Sequence, residues 1–145
     1  MRLGFNFFPA LRRTGGRITY IAHDLKTIRI KIPLNWKTRN YVGTIFGGSM
    51  FSAVDPIYMV MFIKLLGPGY IVWDKFASIK YIKPGRSTLT AEFKVKEEEL
   101  KEICDQLETT EKIDRSYQVE LRDQNREICA IIDKTLHFRK RQRKG

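Results

Sequence analysis

The residue with the strongest claim to chemistry is Asp55, the single acid in an otherwise largely apolar run from Asn40 to Leu66, NYVGTIFGGSMFSAVDPIYMVMFIKLL. A carboxylate in such surroundings can take a proton from water or attack a carbonyl carbon, but burial makes its charge costly unless partners hold it. Just upstream stand Gly47 and Gly48, a pair that permits close backbone approach and leaves amide N–H groups free where a helix begins. Gly48 or Ser49 is expected to cap that helix. A second reading makes Asp55 only a cap: with Pro56 at a first helical position, the helix would restart at a kink and the carboxylate would satisfy freed N–H groups. The two uses are compatible, because a kink also aims a side chain.

Other chemistries lack their residues. Gly47-Gly48-Ser49-Met50 is not a G-x-S-x-G elbow, and no histidine lies near Ser49 or Ser52. Phosphate-loop, dinucleotide and EF-hand spacings are missing. Two histidines and two isolated cysteines, Cys104 and Cys129, give no metal-ligand spacing, so no metal site is expected, and the cysteines read as reduced thiols of a cytoplasmic protein.

The run Asn40-x-x-Gly43-Thr44-x-Phe46-Gly47-Gly48, with Asp55 after six further residues, resembles the N-x-x-G-x-x-H-G-G-x6-D signature of hotdog-fold acyl-CoA thioesterases of the phenylacetate-pathway type. Arg39 through Ser49, Asp55-Pro56 and Val72-Trp73-Asp74-Lys75 are closer still to the DUF4442 family, a thioesterase-like branch of that superfamily, over about residues 18 to 138. The resemblance implies a hotdog fold, an acyl thioester of coenzyme A or acyl carrier protein as partner, and no cofactor beyond the coenzyme A of the substrate. It makes Asp55 the base or nucleophile, Gly48 the N–H donor to the thioester oxygen, and Asn40 a positioning group. Phe46 stands where the catalytic enzymes carry histidine, so one donor is missing; beside Gly47 and Ser49 its ring is a candidate wall of an acyl pocket. The resemblance also implies a homodimer or a dimer of dimers, with the active site at the subunit interface.

The elements that must position these groups follow from periodicity. From Met50 to Ile63 apolar residues fall on every helical face, which predicts a central helix buried all round, ended by Gly67-Pro68-Gly69. Two glycines, Asp55, Pro56 and Lys64 argue against a transmembrane span. Ile28, Ile30 and Ile32 alternate with polar residues, so 17–22 and 26–32 form a hairpin around His23-Asp24. Residues 70–83 are strand-like, but their apolar parity changes between Val72 and Ile79, which predicts a bulge or a strong twist near 74–77. Leu89, Ala91, Phe93 and Val95 mark a further strand, read as the antiparallel neighbour of 70–83 across the turn at Pro84-Gly85. Residues 97–108 take helical period, and 113–121 with 128–138 form a closing hairpin. The pattern is α+β: about six antiparallel strands curved around one long apolar helix.

At 145 residues this is a single hotdog domain, 17–138, between an N-terminal arm, 1–16, and a basic tail, 139–145, expected to be disordered. The arm carries Phe5, Phe7, Phe8 and Leu11 and is too short and broken for a signal-peptide core; it is read as packing on the domain. Net charge is +11, five of it in the tail. The tail has neither interleaved aromatics nor a reading motif, so a solvated face is its ordinary reading, with nucleic-acid or anionic-membrane contact as a third functional class. Lys80, Lys83 and Arg86, near a strand end, are candidates for the phosphates of coenzyme A. The reading that results is an acyl-CoA thioesterase, with a non-hydrolytic acyl-thioester or acyl-ligand binding protein on the same scaffold as the alternative.

Overall fold

A computed structural model describes residues 9–143. A short helix, α1 (Pro9–Arg13), buries Leu11 and leads into β1 (Arg17–Ile21) and β2 (Thr27–Ile32). The central helix comes in two segments, α2 (Gly47–Val54) and α3 (Ile57–Leu66). Then follow β3 (Tyr70–Tyr81), β4 (Leu89–Lys94), α4 (Glu97–Thr109), β5 (Lys112–Arg122) and β6 (Ile128–Lys140). The phenylalanines of the expected arm, Phe5, Phe7 and Phe8, lie outside the described residues.

The six strands form one sheet in the order β1-β2-β4-β5-β6-β3, antiparallel throughout. The alternation read from sequence sets its inner face: Ile28, Ile30 and Ile32 pair in register with Phe93, Ala91 and Leu89, and all six are buried. Against this face lies the central helix, burying Met50, Ala53, Val54, Ile57, Met61 and Phe62. Tyr58 and Phe62 meet Phe93, Tyr117 and Phe138 at centroid separations of 5.0–5.1 Å, the edge-to-face and tilted arrangements that aromatic rings prefer. Gly47–Leu66 is long and apolar enough to span a bilayer by length and composition, and here it is the core helix of the sheet.

Two expectations change. The helix is not buried all round: Ser52, Ile63 and Lys64 are exposed and Phe51, Met59 and Val60 half-buried, because the sheet covers only one side. Nor are the strands 70–83 and 89–95 neighbours; β3 pairs with β6, and β4 lies between β2 and β5. Their connection runs across the sheet end and is tied to the start of the central helix, where Ile45 N–H donates to Gly85 C=O at 2.9 Å and Gly85 packs on Ile45 and Met50. A tight hairpin there would have no reach for that contact. The bulge falls within its predicted window, between Asp74 and Phe76. The basic tail begins later than expected: Arg139 and Lys140 belong to β6, and Arg141 donates to the carbonyls of Gly69 and Pro68.

Candidate functional site

The chain before the helix is locked by its own polar groups. Thr38, fully buried, donates its hydroxyl to Pro33 C=O at 2.6 Å, and its carbonyl accepts Phe46 N–H at 2.7 Å. Asn40 Oδ1 accepts the N–H groups of Val42 and Thr44 at 3.1 and 3.0 Å, and its Nδ2 donates to Thr44 Oγ1 at 2.8 Å. The carboxamide expected to position substrate therefore closes the 40–44 loop, with one N–H left over.

Helix α2 starts without a side-chain cap, neither Gly48 nor Ser49 serving: its N-cap is Phe46, whose carbonyl accepts Ser49 and Met50 N–H at 3.0 and 3.2 Å. The amides of Gly47 and Gly48 come before the first backbone donor and find no partner among the described residues, as expected of the first turn of a helix. Each glycine has its own steric reason. A Cβ on Gly47 would sit 2.5 Å from the Tyr81 hydroxyl oxygen, and one on Gly48 would sit 2.4 Å from Phe46 Cε1. Phe46, 56% exposed, thus folds back along the helix start. The phenol of Tyr81 faces the same turn, its hydroxyl unpaired among the described residues.

Asp55 follows two turns later, at the break between α2 and α3, where Pro56 has no N–H to continue the ladder. The kink is present, but Asp55 does not cap it: α3 has no side-chain cap bond. Its carboxylate reaches the sheet instead, where Lys134 Nζ donates to Oδ1 at 2.5 Å. The lysine side chain is 1% exposed and that of Asp55 44%. Asp74 Oδ1 lies 2.8 Å from the same nitrogen but outside hydrogen-bonding angles, an ion pair rather than a directed bond. Asp74 shares the inward parity of Val72 and lies opposite Leu136, and the bulge just after it turns Phe76 outward opposite Thr135. Burial pushes the Asp74 carboxyl above its ordinary range, more than the lysine pulls it down, and the Asp55 carboxylate adds to the rise.

The basic candidates do not converge on Asp55. Lys80 lies on the face of β3 away from the helix, opposite Ile131. Lys83 is held by Glu127 and by Asp123 at 2.9 Å, contacts that raise its pKa. Arg86 is exposed in the loop after β3. Asp55 lines neither the depression bounded by Arg12, Arg13 and Trp36 nor the one bounded by Arg29, Glu92 and Arg122. Ser49 is buried in the first turn of α2.

Sequence reasoning missed Lys134 and Tyr81. Lys134 was legible as the one charge at an inward position of Ile132, Lys134, Leu136 and Phe138. Tyr81 takes its inward parity from the bulge.

A six-stranded antiparallel sheet curved on a central helix defines a hotdog protein of thioesterase-like architecture. The chain belongs to the DUF4442 family, a domain of unknown function, whose model matches residues 4–138. Among solved structures it is similar to PA5026 of Pseudomonas aeruginosa, a protein of unknown function described as a probable thioesterase, with a TM-score of 0.86, 15% identity and coverage of 97% of this chain and 93% of that one. The thioesterase HI1161 of Haemophilus influenzae gives a TM-score of 0.70 at 16% identity over 98% and 91% of the two chains. The PaaI protein of the E. coli phenylacetic acid degradation operon gives 0.64 at 15% identity over 97% and 89%. At these identities the likeness establishes the fold. No curated protein matches the sequence.

Proposed function

We propose that the protein binds an acyl thioester, of coenzyme A or acyl carrier protein, and hydrolyses it with Asp55 as general base. The observation that carries this reading is the carboxylate of Asp55: half-exposed at the helix kink, with Oδ1 anchored on Lys134 and Oδ2 free of partners among the described residues. In the proposed reaction Oδ2 takes a proton from water as the water oxygen attacks the thioester carbon. The oxyanion that forms is met by the Gly48 N–H at the positive end of α2. Collapse breaks the C–S bond, and the thiolate recovers the proton from Asp55, giving free acid and thiol. Direct attack by Asp55, through an anhydride that water then opens, is the less favoured route, because the lysine holds one carboxylate oxygen. Coenzyme A enters only as part of the substrate.

The site is proposed to be completed by a second copy of the chain. β3 is a twelve-residue edge strand exposing Trp73, Phe76 and Tyr81, and an open edge of that length is a template for pairing. The uncovered stripe of the central helix fits the same assembly.

A second reading, acyl-thioester binding without turnover, is favoured by Phe46, whose ring against Gly48 donates no hydrogen bond. Thiol release from short, long and aromatic acyl-CoAs separates the two. Hydrolysis predicts turnover that falls about a hundredfold or more in Asp55→Asn, in line with loss of an essential base. Tight binding with no release, and no difference in Asp55→Asn, would establish the binding protein instead.

A further inference from the structure

The inner stripe of β6 places one cation among Ile132, Leu136 and Phe138, all fully buried. A buried charge is costly even when paired, and an apolar residue of similar volume would stabilise the sheet at least as well. Packing therefore gives no reason for Lys134. Its position does: it is where a residue of the central helix, one of β3 and one of β6 meet, with Nζ 2.5 Å from Asp55 Oδ1 and 2.8 Å from Asp74 Oδ1.

Asp55 alone would be a half-exposed side chain free to change rotamer; the lysine pins one oxygen and leaves the other without a partner among the described residues. The chemistry gives Asp74 its purpose. When Asp55 takes a proton it becomes neutral, and at that moment Lys134 would be a buried ammonium without a counterion. Asp74, 24% exposed and facing inward opposite Leu136, is the carboxylate that stays beside it.

We propose that Lys134 and Asp74 form a charge-holding pair that positions Asp55 and keeps the buried ammonium compensated while Asp55 carries the proton. Sealed from solvent, Lys134 acts through Asp55 and is a positioning residue. The inference rests on the reading of Asp55 as the base.

The test measures kcat and KM, with thermal melting alongside, for an acyl-CoA that the native chain hydrolyses, in Lys134→Met and Asp74→Asn, each alone and combined with Asp55→Asn. Lys134→Met is expected to lower kcat about thirtyfold and Asp74→Asn about tenfold, with KM within threefold, because the loss falls on the chemical step. Neither change is expected to lower the residual rate of Asp55→Asn further, the mark of residues acting through one group. Retention of kcat within threefold in both single variants, while Asp55→Asn collapses, would overturn the pair and leave the base reading standing. Losses that multiply in the Asp55→Asn background would reduce the trio to a structural staple. If Lys134→Met does not fold, Asp74→Asn decides alone, and an unchanged kcat there overturns the proposal. A native chain without Asp55-dependent turnover would remove the base reading and this inference together.

Discussion

Phe46 and Tyr81 flank the same helical turn, and they make opposite predictions. Phe46→His would put a ring N–H where the phenyl now lies against Gly48, and one donor of this kind is worth about a hundredfold in rate. We expect kcat for acyl-CoA hydrolysis to rise at least tenfold; an unchanged rate would mean that position 46 does not face the reacting carbonyl. Gly47→Ala should act the other way. The new methyl would stand 2.5 Å from the Tyr81 hydroxyl, and because that side chain is exposed it can swing out at little cost. Melting should therefore change little, by less than about 1 kcal/mol in stability, the usual size for a tolerated surface change, while the turn is reshaped and turnover drops. Asp55, Gly48 and Phe46 were legible because the signature lies in consecutive residues. Lys134 stood out as a charge at an inward position, but its pairing with Asp55 did not, since the two are 79 residues apart and only the sheet register brings them together.

Helix α4 buries Leu100, Ile103 and Leu107 against the sheet and adds a polar cluster at Glu99. Arg115 Nε and Nη2 donate to the two oxygens of Glu99 at 2.5 and 2.7 Å, and the Tyr117 hydroxyl donates to Oε1 at 2.6 Å. Burial works against the charge of Glu99, but these donors outweigh it and hold its carboxyl below the ordinary value of 4.5. A carboxyl more acidic folded than unfolded stabilises in full above that value and loses its contribution as pH falls through the lower, folded one. Glu99→Gln should cost about 1–3 kcal/mol at neutral pH and flatten the loss of stability below pH 4.5, seen in denaturant titrations across that range. Phe62→Ala, at the centre of the aromatic cluster, should cost about 3–5 kcal/mol at any pH. At this scale alternation and helical period located nearly every element, and even the bulge betrayed itself as a parity change. Strand order stayed hidden: a Pro-Gly turn between two strands looks local, whereas the connection here crosses the sheet end to hold Ile45.

For the whole molecule, the open β3 edge and the uncovered helix stripe predict a dimer of the 17.0 kDa chain, so light scattering should return about twice that mass. Phe76→Glu, a charge on the exposed face of β3, should move the mass to the monomer and depress turnover with it; a native monomer with full activity would contradict the shared site. The sheet order has a consequence in time. β3 waits for β6, the last strand, and Tyr70 pairs with Lys140 across seventy residues of chain. Until β6 emerges from the ribosome, β3 has no partner strand, Asp55 and Asp74 lack Lys134, and β5 has an open edge. So long-range a closure slows folding relative to domains built from local contacts. It also makes the ammonium on β6 the last of the three charged groups to arrive, so that a nascent chain closes its sheet and anchors Asp55 in the same step, ready for a second copy.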